Sequence, residues 1–95
     1  MPELKVWKYP VPFEDEFELD MPDGAELLHF GNQFEKGQLW ALVDPSQPLA
    51  KRTFRVAGTG HSMDGGLYYY YIGTAQFGGG ALIFHLFETR RYPAI

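Results

Sequence analysis

Leu67-Tyr68-Tyr69-Tyr70-Tyr71-Ile72-Gly73-Thr74-Ala75-Gln76-Phe77, then Gly78-Gly79-Gly80, then Ala81-Leu82-Ile83-Phe84-His85-Leu86-Phe87-Glu88-Thr89 is the stretch that decides the fold. Both flanks are rich in aromatic and β-branched residues, which favour strands. The triple glycine between them supplies a reversal, so 67–77 and 81–89 are predicted to pair as the two longest strands of the chain. Side chains alternate along a strand, which puts Tyr69 and Tyr71 on one face and Tyr68 and Tyr70 on the other. One aromatic face can pack a core. The other then needs a second sheet, another subunit or a ligand, because an aromatic face left in water is a liability.

The same period of two extends outward from this hairpin. Lys51–Ala57 alternates, with Phe54 and Val56 on one face and Thr53 and Arg55 on the other. Asp44-Pro45-Ser46-Gln47-Pro48 interrupts it, since proline cannot donate to a ladder. Glu26–Gly31 and Gln38–Val43 are predicted as a hairpin with a longer loop over Asn32–Gly37. Met21-Pro22-Asp23-Gly24 signals a turn after a short strand at Phe17 and Leu19. Lys5–Tyr9 is a further strand that stops at Pro10 and Pro12. His61–Gly66 reads as a polar turn and Arg90–Ile95 as a tail. No segment combines a helical period with caps. The expectation is a single all-β domain over residues 1–95, a small antiparallel β-sandwich or partly open barrel of six to seven strands.

Ninety-five residues bury only a modest core, so a homo-oligomer, dimer or tetramer, is expected. Aromatic residues make up 17% of the chain, more than such a core absorbs. The net charge of −4 argues against binding to duplex DNA or RNA. That charge is unevenly spread. Acidic residues crowd residues 1–35, whereas Lys51, Arg52, Arg55, Arg90 and Arg91 dominate residues 51–91, so a local basic site fits on an acidic protein. There is no cysteine, hence no disulfide framework or thiolate zinc site. The N-terminus has no apolar h-region and no stretch approaches the roughly 18 apolar residues of a membrane span. These features suit a cytoplasmic protein with no membrane partner.

The residues that carry chemistry point to holding rather than cutting. His29 and His85 sit in strand segments, where packing or hydrogen bonding is the usual role. His61 has Ser62 and Asp64 beside it, but three near-neighbours in one loop seldom converge as a triad. No spacing matches a metal site. No catalytic residue, metal or cofactor is therefore expected. Gly58-Thr59-Gly60 lacks the lysine and following helix of a phosphate loop. It remains open as a backbone nest for an anion or as a bulge that needs glycine. Arg55, directly before it, is the first candidate for charge-assisted phosphate contacts. Tyr69 and Tyr71 offer flat faces for bases, at roughly 1–3 kcal/mol per stacked base. The candidate ligand-binding set is Arg55, Gly58, Thr59, Gly60, His61, Tyr69, Tyr71 and Thr74.

Leu39-Trp40-Ala41-Leu42-Val43-Asp44-Pro45, Arg52, Phe54-Arg55, Gly58-Thr59-Gly60-His61, Tyr71-Ile72-Gly73-Thr74 and Ala81–Glu88 resemble a widespread family of small phage-encoded proteins of unknown function. Val6-Trp7-Lys8-Tyr9 and Met21–Ala25 fit the same pattern, so the resemblance covers nearly the whole chain. In size the chain is also similar to phage immune-evasion proteins that act as sponges. Those proteins bind the cyclic oligonucleotide messengers of CBASS-type bacterial defence without destroying them. The resemblance implies a homo-oligomeric, non-enzymatic anti-CBASS sponge in the host cytoplasm, with a cyclic di- or trinucleotide as ligand. Three other readings stay open, the blandest being a virion or structural role, in which the protein would co-purify with particles. An interaction module that inhibits a host protein would depend on Tyr69 and Tyr71 more than on Arg55. A nucleotide-degrading enzyme would require His61.

Overall fold

Seven strands alternate with short turns in the computed structural model, which describes residues 2–92: β1 (Lys5–Val11), β2 (Glu16–Pro22), β3 (Glu26–Gln33), β4 (Lys36–Val43), β5 (Leu49–Gly58), β6 (Leu67–Phe77) and β7 (Leu82–Arg91). They form two antiparallel sheets, β1-β4-β3 and β2-β5-β7-β6, which do not close into a barrel. The molecule measures 44 × 43 × 15 Å along its principal axes. No helix among the described residues is long and apolar enough to cross a membrane.

The core is built by the alternation that the sequence shows. Leu39, Ala41 and Val43 of β4 point inward, towards Phe54 and Val56 of β5 and Leu86 of β7. Phe30 and Phe77 close one end, where Phe13 from the β1–β2 loop packs edge-on against Phe77 and stacks on Phe84. Met21 and Val11 are also buried.

The β6–β7 reversal is as predicted. Gly78, Gly79 and Gly80 all adopt positive φ, at 60°, 68° and 95°. Three such residues in succession are accessible at low cost only to glycine. β7, however, extends to Arg91, so part of the predicted tail is strand; Pro93–Ile95 lie outside the described residues.

The β3–β4 hairpin departs from expectation. The strands run on to Gln33 and Lys36, leaving a two-residue turn in which Phe34 (φ 54°) and Glu35 (φ 61°) are both left-handed. This is the geometry of the tight primed turns, normally filled by Asn and Gly. Side-chain bonds hold it here. Asn32 Oδ1 accepts the Glu35 N–H at 2.9 Å, and Asn32 Nδ2 donates to Gln76 O at 2.8 Å. Glu35 Oε2 accepts the Gly78 N–H at 2.8 Å. The turn is thereby fastened to the β6–β7 reversal.

The tyrosine run also behaves differently from a simple core-facing strand. A bulge between Tyr71 and Gly73 resets the alternation, and the buried side chains of β6 are Ala75 and Phe77. Gly73 meets β3 so closely that a Cβ there would lie 3.2 Å from Phe30 Cβ and 3.4 Å from its backbone N and O. The Leu67–Tyr71 end of β6 is left at the margin of the sandwich, with Tyr68, Tyr70 and Tyr71 exposed.

Candidate functional site

The sequence-derived set assembles on the outer face of the four-stranded sheet. Register places Arg55, Phe87 and Tyr71 in one row across β5, β7 and β6. Thr53, Thr89 and Tyr69 form the next row, and Ala57, His85 and Thr74 the one beyond. Tyr69 and Tyr71 each make an edge contact with Phe87, at 5.8 and 5.7 Å between ring centres. A chain of side-chain hydrogen bonds crosses this face: Tyr71 Oη to Thr74 Oγ1 (2.6 Å), Thr74 Oγ1 to His85 Nδ1 (2.9 Å), and His85 Nε2 to Thr59 Oγ1 (2.8 Å). His85 is thus held at both ring nitrogens by hydroxyls, which can donate or accept.

The loop after β5 folds back over the same face. His61 N–H donates to Gly58 O at 3.0 Å, and Gly60 takes φ 86° to allow the turn. The His61 ring lies against Gly58, where a Cβ would come within 2.7 Å of it. Arg55 Nη2 donates to Ser62 O (2.9 Å), and Tyr69 Oη donates to Asp64 O (2.6 Å). Arg55 also pairs with Asp15 at 3.6 Å, and its side chain is only 12% exposed. In this arrangement the two Arg55 Nη atoms are engaged by Ser62 and Asp15, while its buried Nε has no partner among the described residues. Asp64 turns its carboxylate to the Gly66 N–H at 2.7 Å.

A groove of about 850 Å³ opens beside this face, between β2 and the Asp64–Leu67 segment. Its charged lining is Glu16, Glu18 and Asp64 against Arg91. Three carboxylates to one guanidinium repel an anion.

A second cleft, of about 650 Å³, has the opposite character. Pairing between β5 and β7 ends at Thr53–Thr89, whereas β7 continues with β6 to Arg91–Leu67 and β5 continues with β2 to Leu49–Pro22. The sheet therefore forks. Lys51, Arg52, Arg90 and Arg91 line the fork, against Asp23 and Glu88. Arg52 closes its apex with a bidentate ion pair, Nε to Glu88 Oε2 at 2.6 Å and Nη2 to Oε1 at 2.7 Å, and it also donates to Ala25 O. The Glu88 hydrogen bonds, despite partial burial, raise the Arg52 pKa above its usual value. With Glu88 neutralised by Arg52, Lys51, Arg90 and Arg91 outnumber the remaining Asp23. Lys51 is shared with Glu18 at 3.3 Å on the open surface, a weak hold.

Aromatic rings stand on the β6 side of the fork. Tyr68 pairs in register with Arg90, and Tyr70 with Glu88. The Arg90 guanidinium carbon lies 5.7 Å from the centre of the Tyr70 ring, which is half exposed. Tyr68 meets Tyr92 edge-on at 4.3 Å, and Tyr92 Oη donates to Gly65 O. Lys51, Arg90 and Arg91 belong to the basic residues noted in the sequence, but neither they nor Tyr68 and Tyr70 are in the candidate ligand-binding set. The pairing of Tyr68 with Arg90 depends on the bulge between Tyr71 and Gly73; an unbroken hairpin register would set Arg90 opposite Tyr69.

Among the described residues, no three metal-ligating side chains come together. His29 lies on the other sheet, against Trp40 at 5.8 Å, away from His61 and His85.

Fold and site together define a two-sheet antiparallel β-protein with a forked, cationic, tyrosine-flanked cleft. The chain belongs to a family described as a domain of unknown function, DUF7352, whose model matches residues 2–94. No curated protein and no solved structure matches it.

Proposed function

We propose that this protein is a non-enzymatic sponge that binds and sequesters a cyclic di- or trinucleotide messenger, as a phage immune-evasion protein in the host cytoplasm. The observation that carries the reading is the fork: Lys51, Arg90 and Arg91 line its cleft, and the neighbouring strand β6 carries Tyr68 and Tyr70 in register with Arg90 and Glu88. A cyclic oligonucleotide combines phosphates, which guanidinium groups bind by charge-assisted hydrogen bonds, with bases, which stack on aromatic rings. Net charge −4 with a local excess of cations suits a small anionic ligand better than a duplex. Nanomolar retention corresponds to about −12 kcal/mol. Two stacked bases and a few phosphate contacts approach that only in a preformed pocket, ideally completed by a second copy in a homo-oligomer.

The outer face with Arg55, Tyr69, Tyr71 and Thr74 ranks second as the ligand surface, because Arg55 is engaged and the adjoining groove is acidic. The half-exposed tyrosines favour one other reading, direct binding and inhibition of a host protein. The test is thermal unfolding of the pure protein against a panel of cyclic di- and trinucleotides, followed by denaturation and chromatography of the ligand. Stabilisation with intact nucleotide recovered is expected. Degraded nucleotide would make the protein an enzyme, and no shift with any nucleotide would leave the host-protein reading.

A further inference from the structure

Phe34 is the most exposed large apolar residue among those described, at 90%, and it stands at φ 54°. Both properties cost the isolated chain stability: a bulky residue in the left-handed region is strained, and its ring gains nothing from burial. The turn that carries it is nevertheless held firmly by the Asn32 and Glu35 bonds to β6 and Gly78. The ring is therefore presented outward from a fixed support.

An apolar groove of about 640 Å³ adjoins that support. Pro10, Pro12, Phe13, Phe17 and Leu19 line it, and Lys36, the strand residue directly after the turn, lies at its rim with Glu14. We propose that Phe34 of one copy seats in this groove of a second copy, and reciprocally, giving a two-fold dimer. Lys36, two residues after Phe34, lines the groove, so knob and groove belong to one patch, as an isologous interface requires. Charge complements the apolar contact: Lys36 travels with the entering Phe34, and Glu14 and Glu18 outnumber the receiving groove's own Lys36. An aromatic side chain buries about 150–250 Å². Two of them with their surrounds fall near the lower limit for a specific interface, so association is reversible and concentration-dependent. The inference rests on the homo-oligomer part of the proposed function and not on its ligand.

Sedimentation velocity on the full chain from about 1 µM to about 1 mM tests it. The wild type is expected to shift from monomer to dimer within that range. Phe34→Gly is expected to weaken association at least tenfold while raising the melting temperature of the dilute monomer, because glycine relieves the left-handed strain. Glu14→Lys is expected to weaken association, and combining it with Lys36→Glu to restore it. A wild type that stays monomeric, a Phe34→Gly variant that still dimerises, or a charge swap without rescue would each overturn the proposal. Ligand binding by a monomer would leave the nucleotide reading standing while this one fails.

Discussion

Tyr9 carries a hydroxyl that is buried with no hydrogen-bond partner, and burial raises its pKa above the usual phenol value. Leaving such a group unsatisfied costs about 1–3 kcal/mol, whereas removing it leaves a ring of the same shape. Tyr9→Phe is accordingly expected to raise stability by up to about 1 kcal/mol in chemical denaturation, and a loss of more than that would show an unseen partner for the hydroxyl. Other single residues differ in how far the sequence discloses them. The inward positions Leu39, Ala41, Val43, Phe54 and Val56 follow from alternation alone. Arg55 was legible as a cation on the outer face, but not as one spent on Ser62 O and Asp15, since that depends on how an eight-residue loop folds back. Phe34 gave no turn signal, because its left-handed turn is held by Asn32 and Glu35 rather than by residues that prefer that conformation.

Strand β6 does two jobs along its length. Its second half is pinned to β3, through Gly73 against Phe30 and Gln76 O against Asn32. Its first half diverges from the core with four tyrosines. The bulge at Ile72 separates the two, and period-two counting cannot foresee it because one extra residue changes every face that follows. Gly73→Ala is expected to cost about 1–3 kcal/mol in denaturant unfolding, since the new methyl group meets Phe30 backbone as well as its side chain. The fork between β5 and β7 has its own brace in Arg52 and Glu88, whose side chains are 19% and 10% exposed. Removing one partner leaves a poorly solvated charge, so Glu88→Ala is expected to lose roughly 3 kcal/mol. Arg52→Met with Glu88→Leu should recover most of that by apolar packing. A double variant no better than the single would show that the fork needs the ion pair for its shape.

For the whole molecule, two thin sheets leave much of the aromatic content on the surface and concentrate cations where the four-stranded sheet divides. The all-β class and the main hairpin were readable because they depend on local alternation and glycine. The fork was not, because it arises where β5 and β7 part while each stays paired with its other neighbour, which is a property of the assembled sheet. The central claim is that this fork holds a cyclic nucleotide intact. Isothermal titration of the wild type, Arg90→Ala, Tyr70→Ala and Tyr71→Ala with the nucleotide that most stabilises the protein tests it directly. The account predicts at least tenfold weaker binding for Arg90→Ala and Tyr70→Ala, and near wild-type binding for Tyr71→Ala on the outer face. Binding that survives loss of Arg90 and Tyr70, or no binding of any cyclic nucleotide, would contradict it.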